Sequence, residues 1–278
     1  MDDAREYWNE DAGLRWVREQ SRLDAMMVPI WERLATAANV RPGQRVLDIG
    51  CGCGTTSLDL ADQVGEQGAV VGVDISQPMV DRARELAAGR PQLRFEVADA
   101  GAHAFSPGAT DVAVSRFGVM FFADSVAAFS NIRRGLASAG RCVFTCWQGI
   151  EANPWVSLAL RDAKPLLPAP QADNPEDDDQ PGMFRFADPK RVERVMVDAG
   201  FSAVSVQPSQ VDLTVPGTVD EVLAFFAEMG PLGRVLSEVA DDRREEVLEI
   251  VRGTIAADHT GQGVCYPSAT WIVSGTNR

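Results

Sequence analysis

The sequence predicts an α/β fold: a doubly wound, mostly parallel sheet of seven strands, with an N-terminal helical lid and helical insertions after the fifth and sixth strands. Three observations carry this expectation. Short apolar runs alternate with amphipathic stretches of helical period between Val46 and Trp147. The segments between those runs are long enough for crossover helices, which implies parallel strands covered on both faces. The first run also ends in a glycine-rich turn that leads directly into a helix.

Residues 4–38 read as helical, with Trp8, Leu14, Val17, Leu23, Met27 and Ile30 at roughly helical spacing and a kink or break expected near Pro29. Residues 1–40 are assigned to the lid and 41–278 to the sheet domain. Arg41-Pro42-Gly43-Gln44 is a turn, followed by a buried strand at 46–49, a helix at 55–64 and a second strand at 69–73 that runs into Asp74. Ser76 with Pro78 starts the next helix and Gly89 stops it. Strands follow at 93–98 and 111–115. Val126, Phe129, Ile132 and Leu136 mark one helix face, with Gly140 as its stop, and the fifth strand is 141–147. Residues 148–186 are rich in proline and acid and read as a long unpacked excursion, the first insertion. Asp188-Pro189 caps a helix that ends at Gly200, strand six lies within 202–215, and 219–258 is helical again, forming the second insertion at about 218–260. The last strand is 269–274.

Forty acidic against 26 basic residues give a net charge of −14, and the densest charge run, Asp173 to Asp179, is acidic and reads as a solvated loop. A nucleic-acid binder draws most of its affinity from basic side chains on phosphates, so no nucleic-acid partner is expected. The first residues lack the pattern of a signal peptide, and no stretch suits a membrane span, so no membrane partner is expected and the reading is cytoplasmic. The odd count of five cysteines agrees with reduced thiols. Cys51 and Cys53 sit too close together for the usual zinc spacing, and no metal is expected.

The chemistry concentrates in Val46-Leu47-Asp48-Ile49-Gly50-Cys51-Gly52-Cys53-Gly54. Glycines let a ligand lie against the backbone, and the following helix start offers N–H groups and partial positive charge. A nicotinamide or flavin fingerprint would set its third glycine one place later. An acid just before the turn suits instead a ligand with an ammonium. The second strand ends at Asp74, where either a dinucleotide or an adenosyl group would use a carboxylate for its ribose hydroxyls. The third leads to Asp99-Ala100, placed to meet an adenine edge.

VLDIGCGCG, VVGVDIS, EVADA and RRGLASAGRCVFTCW resemble the motifs of class I (Rossmann-like) S-adenosylmethionine-dependent methyltransferases over about residues 40–147, and SRFGVMFFADSVAAFSNIRRGL resembles a bacterial small-molecule subgroup. The resemblance implies S-adenosylmethionine as cofactor and S-adenosylhomocysteine as product. It places Asp48, Gly50, Gly52 and Gly54 at the methionine part, Asp74 at the ribose, Ile75 and Met79 beside the adenine, Asp99 and Ala100 at its edge, and Ser115 by the methionine part. It also implies an antiparallel last strand, matched by the run near Trp271.

The implied partner is a hydrophobic small-molecule acceptor, methylated on oxygen or else on carbon or nitrogen, by family analogy in secondary metabolism. Ser115-Arg116-Phe117-Gly118 stands where amine methyltransferases of nucleic acids carry an Asn/Asp-Pro-Pro-aromatic motif. Base candidates are His259 and Glu228, with Glu151 and His103 weighed beside them; His103 reads as a loop or adenine-side contact. Tyr7, Trp8 and Trp16 read as a lid over a sulfonium or as plain packing. Two other readings stay open: a protein that binds this cofactor without transferring methyl, and a nicotinamide-dependent oxidoreductase. Whether the insertions close a pocket or form a homodimer contact is open as well.

Overall fold

The computed structural model describes residues 2–157, 160–166, 180–229, 232–233, 236 and 239–278; the Asp173–Asp179 run lies outside them. Seven strands form one sheet: β1 (Arg45–Ile49), β2 (Ala69–Asp74), β3 (Leu93–Val97), β4 (Thr110–Arg116), β5 (Leu136–Trp147), β6 (Ser202–Pro216) and β7 (Gly263–Thr276). Their order is β3-β2-β1-β4-β5-β7-β6. The first five are parallel, and β7 runs antiparallel to both β5 and β6, as the resemblance implies for the last strand. The helices are α1 (Asp2–Asn9), α2 (Asp11–Arg18), α3 (Gln20–Ala38), α4 (Thr55–Val64), α5 (Gln77–Leu86), α6 (Ser125–Gly135), α7 (Pro189–Asp198), α8 (Val219–Met229) and α9 (Asp241–Asp258).

Strand periodicity sorts the core into two faces. On β1, Val46 joins a cluster with Leu60, Val64, Val80 and Val112, while Leu47 and Ile49 join a larger one with Phe129, Phe144 and Ile132. Helix α3 serves both: Leu23, Met26, Met27 and Ile30 pack in the larger cluster, Trp31, Leu34 and Ala38 in the smaller. The Arg141 guanidinium donates to the Ala38 carbonyl at the far end of α3, tying that helix to β5.

Four expectations need correction. The N-terminal helical stretch breaks at Glu10 and Glu19, and α3 continues through Pro29. The first break follows Asn9, whose side chain is spent on α5: its amide donates to the Ile75 carbonyl at 3.0 Å, and its oxygen accepts from Gln77 N at 2.8 Å. Helix α6 stops at Gly135 rather than Gly140, because Leu136 already pairs with Thr110 as the start of β5. Residues 219–258 are not helical throughout: among the described residues, Val239 and Ala240 break the run just before α9.

The ends of the 148–186 excursion are packed. Buried Asn153 bonds the carbonyls of Gln148, Gly149 and Ala269, and Phe186 lies in the core beside Phe129 and Phe144. Buried Arg185 donates to the Phe122 carbonyl, fastening this segment under the loop after β4. Proline and acid in the middle of the stretch masked these anchors in the sequence.

Candidate functional site

In an open α/β sheet, ligands bind beyond the carboxyl ends of the strands, at the point where strand order reverses. Here that point lies between β1 and β4. The turns leaving these two strands touch backbone to backbone: a Cβ on Gly50 would fall 2.6 Å from Gly118 Cα. Ser115 Oγ donates to the Ile49 carbonyl at 2.7 Å and locks the same junction from below. Ser115 is fully buried, so its hydroxyl serves the strand crossing.

The glycine turn itself divides its labour. Gly50, Gly52 and Gly54 all take positive φ. Gly54 must lack a side chain because Ala83 and Phe95 stand 2.8 and 2.9 Å from where its Cβ would be, so it serves packing of α4 against α5 and β3. Gly52 differs. A Cβ there would meet only Met79 Sδ, at 3.9 Å, and the turn faces open space.

Asp48 sits behind the turn, fully buried, accepting from Thr56 Oγ1 and Ser57 Oγ at 2.6 Å each. Its other oxygen has no partner. Asp74, at the end of β2, accepts from Gly52 N at 2.8 Å and Ser76 N at 2.9 Å, which leaves lone pairs for hydroxyl donors. Burial pushes both carboxyls above their ordinary range, and the Asp48 charge pushes Asp74 further. A cationic ligand beside them would relieve that cost.

The remaining expected contacts lie around this centre. Ile75 presents its carbonyl to Asn9, and Met79 is buried beneath Gly52. Asp99 uses one carboxylate oxygen on Gly101 N at 2.8 Å, and the Ala100 carbonyl accepts from Asn131 Nδ2 at 3.1 Å. His103 pairs with Glu96 at 3.5 Å and meets Phe105 edge-on.

A cavity of about 60 Å³ opens against the turn, walled by Gly50 to Cys53, Thr55 and Thr56, by Arg116 and Phe117 from the end of β4, and by Trp16, Gln20, Leu23, Asp24 and Met27 from α2 and α3. Phe117 holds a left-handed backbone, φ 68°, rare for a bulky side chain, and its ring stacks on Trp147 with centroids 4.1 Å apart and planes 8° from parallel. Trp8 of α1 meets Phe121 edge-on at 5.6 Å, and Ser76 Oγ donates to the Trp8 carbonyl at 2.6 Å.

Both proposed bases are elsewhere. His259 ends α9 with both ring nitrogens occupied: Nδ1 accepts from Gly261 N at 3.0 Å and Nε2 lies 2.8 Å from the Gly217 carbonyl. Accepting at Nδ1 puts the proton of the neutral ring on Nε2, so this ring is a staple between β6 and α9 and holds no free lone pair. Glu228 is exposed on α8 and pairs with Arg18 at 3.3 Å. Glu151 is exposed too, and neither it nor His103 walls the cavity.

What sequence reading missed is the polar group on the cavity's outer wall. Asp24 Oδ2 accepts from Thr55 Oγ1 at 2.6 Å, Asp24 Oδ1 meets Arg116 at 3.4 Å, and Gln20 links Arg82 to Thr55. One signal was present: Gln20 and Asp24, four apart on a helix with Leu23 and Met27, share its inward side. Nothing local told that Asp24 meets a residue 92 positions later.

Residues 46–140 match the family model described as a methyltransferase domain. Aklanonic acid methyltransferase of Streptomyces sp. (strain C5) is 35% identical over 119 residues, covering 42% of this chain and 54% of that protein. Nocamycin O-methyltransferase of Saccharothrix syringae is 34% identical over 119 residues, 42% of each chain. The match thus spans about half the length of these curated relatives. Phosphoethanolamine N-methyltransferase 2 of Haemonchus contortus, solved with S-adenosyl-L-methionine, superposes with a TM-score of 0.58 at 15% identity, over 99% of this chain and 60% of that one, a likeness of fold.

Proposed function

From a chain that carries a class I methyltransferase domain, we propose an S-adenosylmethionine-dependent methyltransferase that methylates an oxygen of a hydrophobic small molecule. The observation that carries this reading is the junction of β1 and β4: a turn open only above Gly52, held by one buried carboxylate behind it and another beside it. These residues suit the cofactor. Asp74 has lone pairs left for the two ribose hydroxyls, the raised carboxyls favour a cation, and no pyrophosphate would be welcome beside them. When bound, the cofactor supplies an electrophilic methyl on a sulfonium.

The protein's part is alignment and exclusion of water, which suit a direct displacement. Thr56 and Ser57 fix Asp48, and Gly52 N and Ser76 N fix Asp74, so neither carboxylate needs to reorganise. Leu23, Met27, Trp16 and Phe117 put apolar surface beside the glycine turn, which suits a hydrophobic acceptor next to the cofactor. No histidine walls the cavity among the described residues, which favours an acceptor acidic enough to react without a strong base. The names of the two bacterial relatives, one naming aklanonic acid and one an O-methyltransferase, support a small-molecule acceptor and transfer to oxygen; a role in secondary metabolism rests on family analogy. A cytoplasmic setting, which keeps thiols reduced, suits five unpaired cysteines; no helix among the described residues is long and apolar enough to cross a membrane.

The test is calorimetry with S-adenosylhomocysteine, followed by methyl-labelled S-adenosylmethionine with pools of phenols, carboxylic acids, amines and quinone precursors, read by mass spectrometry. Binding and a labelled oxygen-methylated product are expected, with both lost in Asp74→Ala. Firm binding without any product would favour a protein that holds the cofactor for another purpose. No binding would sink the reading.

A further inference from the structure

We propose that Asp24 and Arg116 form the seat for the amino-acid end of the cofactor, Asp24 taking its ammonium and Arg116 its carboxylate; this rests on the functional reading above. Four observations lead there.

The first is placement. Among the described residues that wall the cavity, Asp24 is the only acid and Arg116 the only base, and they meet each other there at 3.4 Å. Their side chains are 23% and 16% exposed, enough for a ligand to reach and too little for water to screen. The second is supply. Four of the turn's N–H groups are spent: Gly50 and Cys51 donate to Val73 O, Gly52 to Asp74, and Gly54 to Cys51 O. Arg116 adds a fork of side-chain donors for a ligand carboxylate.

The third is the looseness of the pair. Asp24 and Arg116 touch through one contact of 3.4 Å, longer than the ~2.7–2.9 Å of a tight charged hydrogen bond. The firm bond to Asp24 comes from Thr55, at 2.6 Å, which aims the carboxylate and leaves Oδ1 for a stronger partner. The fourth is charge balance. Parting a half-buried ion pair is costly when it leaves either charge alone. A zwitterion brings one charge of each sign, so both partners are exchanged together and no charge is stranded. A neutral head cannot do this, and a pyrophosphate would set negative charge against Asp24.

The pair would therefore set specificity for the amino-acid end, with Gln20 and Arg82 bracing it from α3 and α5. Calorimetry on the full chain tests this with two ligands. One is S-adenosylhomocysteine; the other is 5′-methylthioadenosine, which keeps the nucleoside and thioether and lacks the amino acid. Asp24→Asn and Arg116→Gln are each expected to weaken S-adenosylhomocysteine about tenfold or more, and methylthioadenosine by less than about twofold. Decarboxylated S-adenosylhomocysteine separates the two roles: Arg116→Gln should leave its affinity alone, and Asp24→Asn should not. It also serves as the unaffected control for Arg116→Gln if methylthioadenosine binds too weakly to titrate.

A thermal melt reports whether each variant folds, and Arg116→Lys, which keeps the charge without the fork, gives a milder second case with an intermediate loss. Wild-type binding of S-adenosylhomocysteine with variants that lose both ligands equally, or neither, overturns the seat and leaves the functional reading intact. Failure of the wild type to bind S-adenosylhomocysteine would take both away.

Discussion

At Gly118 and Gly52 the same substitution should act through different physics. Gly118 and Gly50 press backbone against backbone, and a Cβ on Gly118 would lie 2.7 Å from both Gly50 Cα and Ile49 O. Backbone cannot yield as a side-chain tip can, so Gly118→Ala should cost at least ~1–3 kcal/mol of stability, read from a denaturant midpoint. Gly52→Ala meets almost nothing and costs only the left-handed backbone, roughly 1–2 kcal/mol. It should fold and lose ligand affinity, because the methyl enters the space the turn leaves open; unchanged affinity for S-adenosylhomocysteine would move the ligand away from Gly52. Asp48 gives a pH signature. Its pKa is raised on folding by burial, so its contribution to stability is present at low pH and lost as pH rises through the folded value. Asp48→Asn removes that loss. The difference in thermal midpoint, variant minus wild type, should grow from the acid range toward neutrality, and a difference that shrinks with rising pH would contradict the buried-charge account. The glycines and acids of this site were legible in the sequence because their spacing is local. Their separate roles were not, since only contacts from β4, α5 and β3 show which glycine packs and which faces the ligand.

Helix α8 and the end of α9 show why sequence alone could not say where the two base candidates would lie. Sequence periodicity finds a helix and its apolar face, yet it cannot say which neighbour that face meets. In the fold, α8 leans on the N-terminal helices: Arg18 reaches Glu228, and the Arg22 guanidinium lies 5.7 Å over the Phe225 ring. Both ends of the Arg18–Glu228 pair are largely exposed, so Glu228→Ala should cost less than about 1 kcal/mol and leave methyl transfer intact. His259→Ala should behave differently, since it removes two hydrogen bonds that close the crossing of α9, β6 and β7. A loss of about 1–2 kcal/mol is expected, with the specific activity of the folded fraction retained. A drop in activity without a drop in stability would return His259 to the chemistry. At this scale the sequence was most readable where caps and breakers are local: α4 has the bounds the sequence suggests, and the Asp188 side chain caps α7 by accepting from Lys190 N. It was least readable where β5 begins early and where a proline-rich stretch is anchored by Asn153 and Phe186, because both depend on partners far along the chain.

Across the whole molecule, the sheet is fastened by deep apolar packing, and the N-terminal helices are fastened in two different ways. The second half of α3 is held by Ile30 and Leu34, both essentially without exposure. Helices α1 and α2 are held mostly by polar links: Asn9 to Ile75 and Gln77, Ser76 to Trp8, Arg18 to Glu228, with Trp8 resting edge-on against Phe121. Links of this kind open at low free energy compared with the core. Opening of α2, which walls the cavity of about 60 Å³ through Trp16, would widen the way to the glycine turn. Tyr7, Trp8 and Trp16 suggested a lid, and if it moves, the break at Glu19 between α2 and α3 is where it would bend. Hydrogen–deuterium exchange reads this directly. Amides of α1 and α2 should exchange faster than those of Ile30–Ala38 in the free protein and slow by about tenfold or more with saturating S-adenosylhomocysteine, while β5 changes little. Asn9→Ala should raise the ligand's dissociation rate and speed exchange in α1 without a large shift in the thermal midpoint of the sheet. Equal exchange in α1 and α2 with and without bound ligand would make them a fixed wall and end the lid reading.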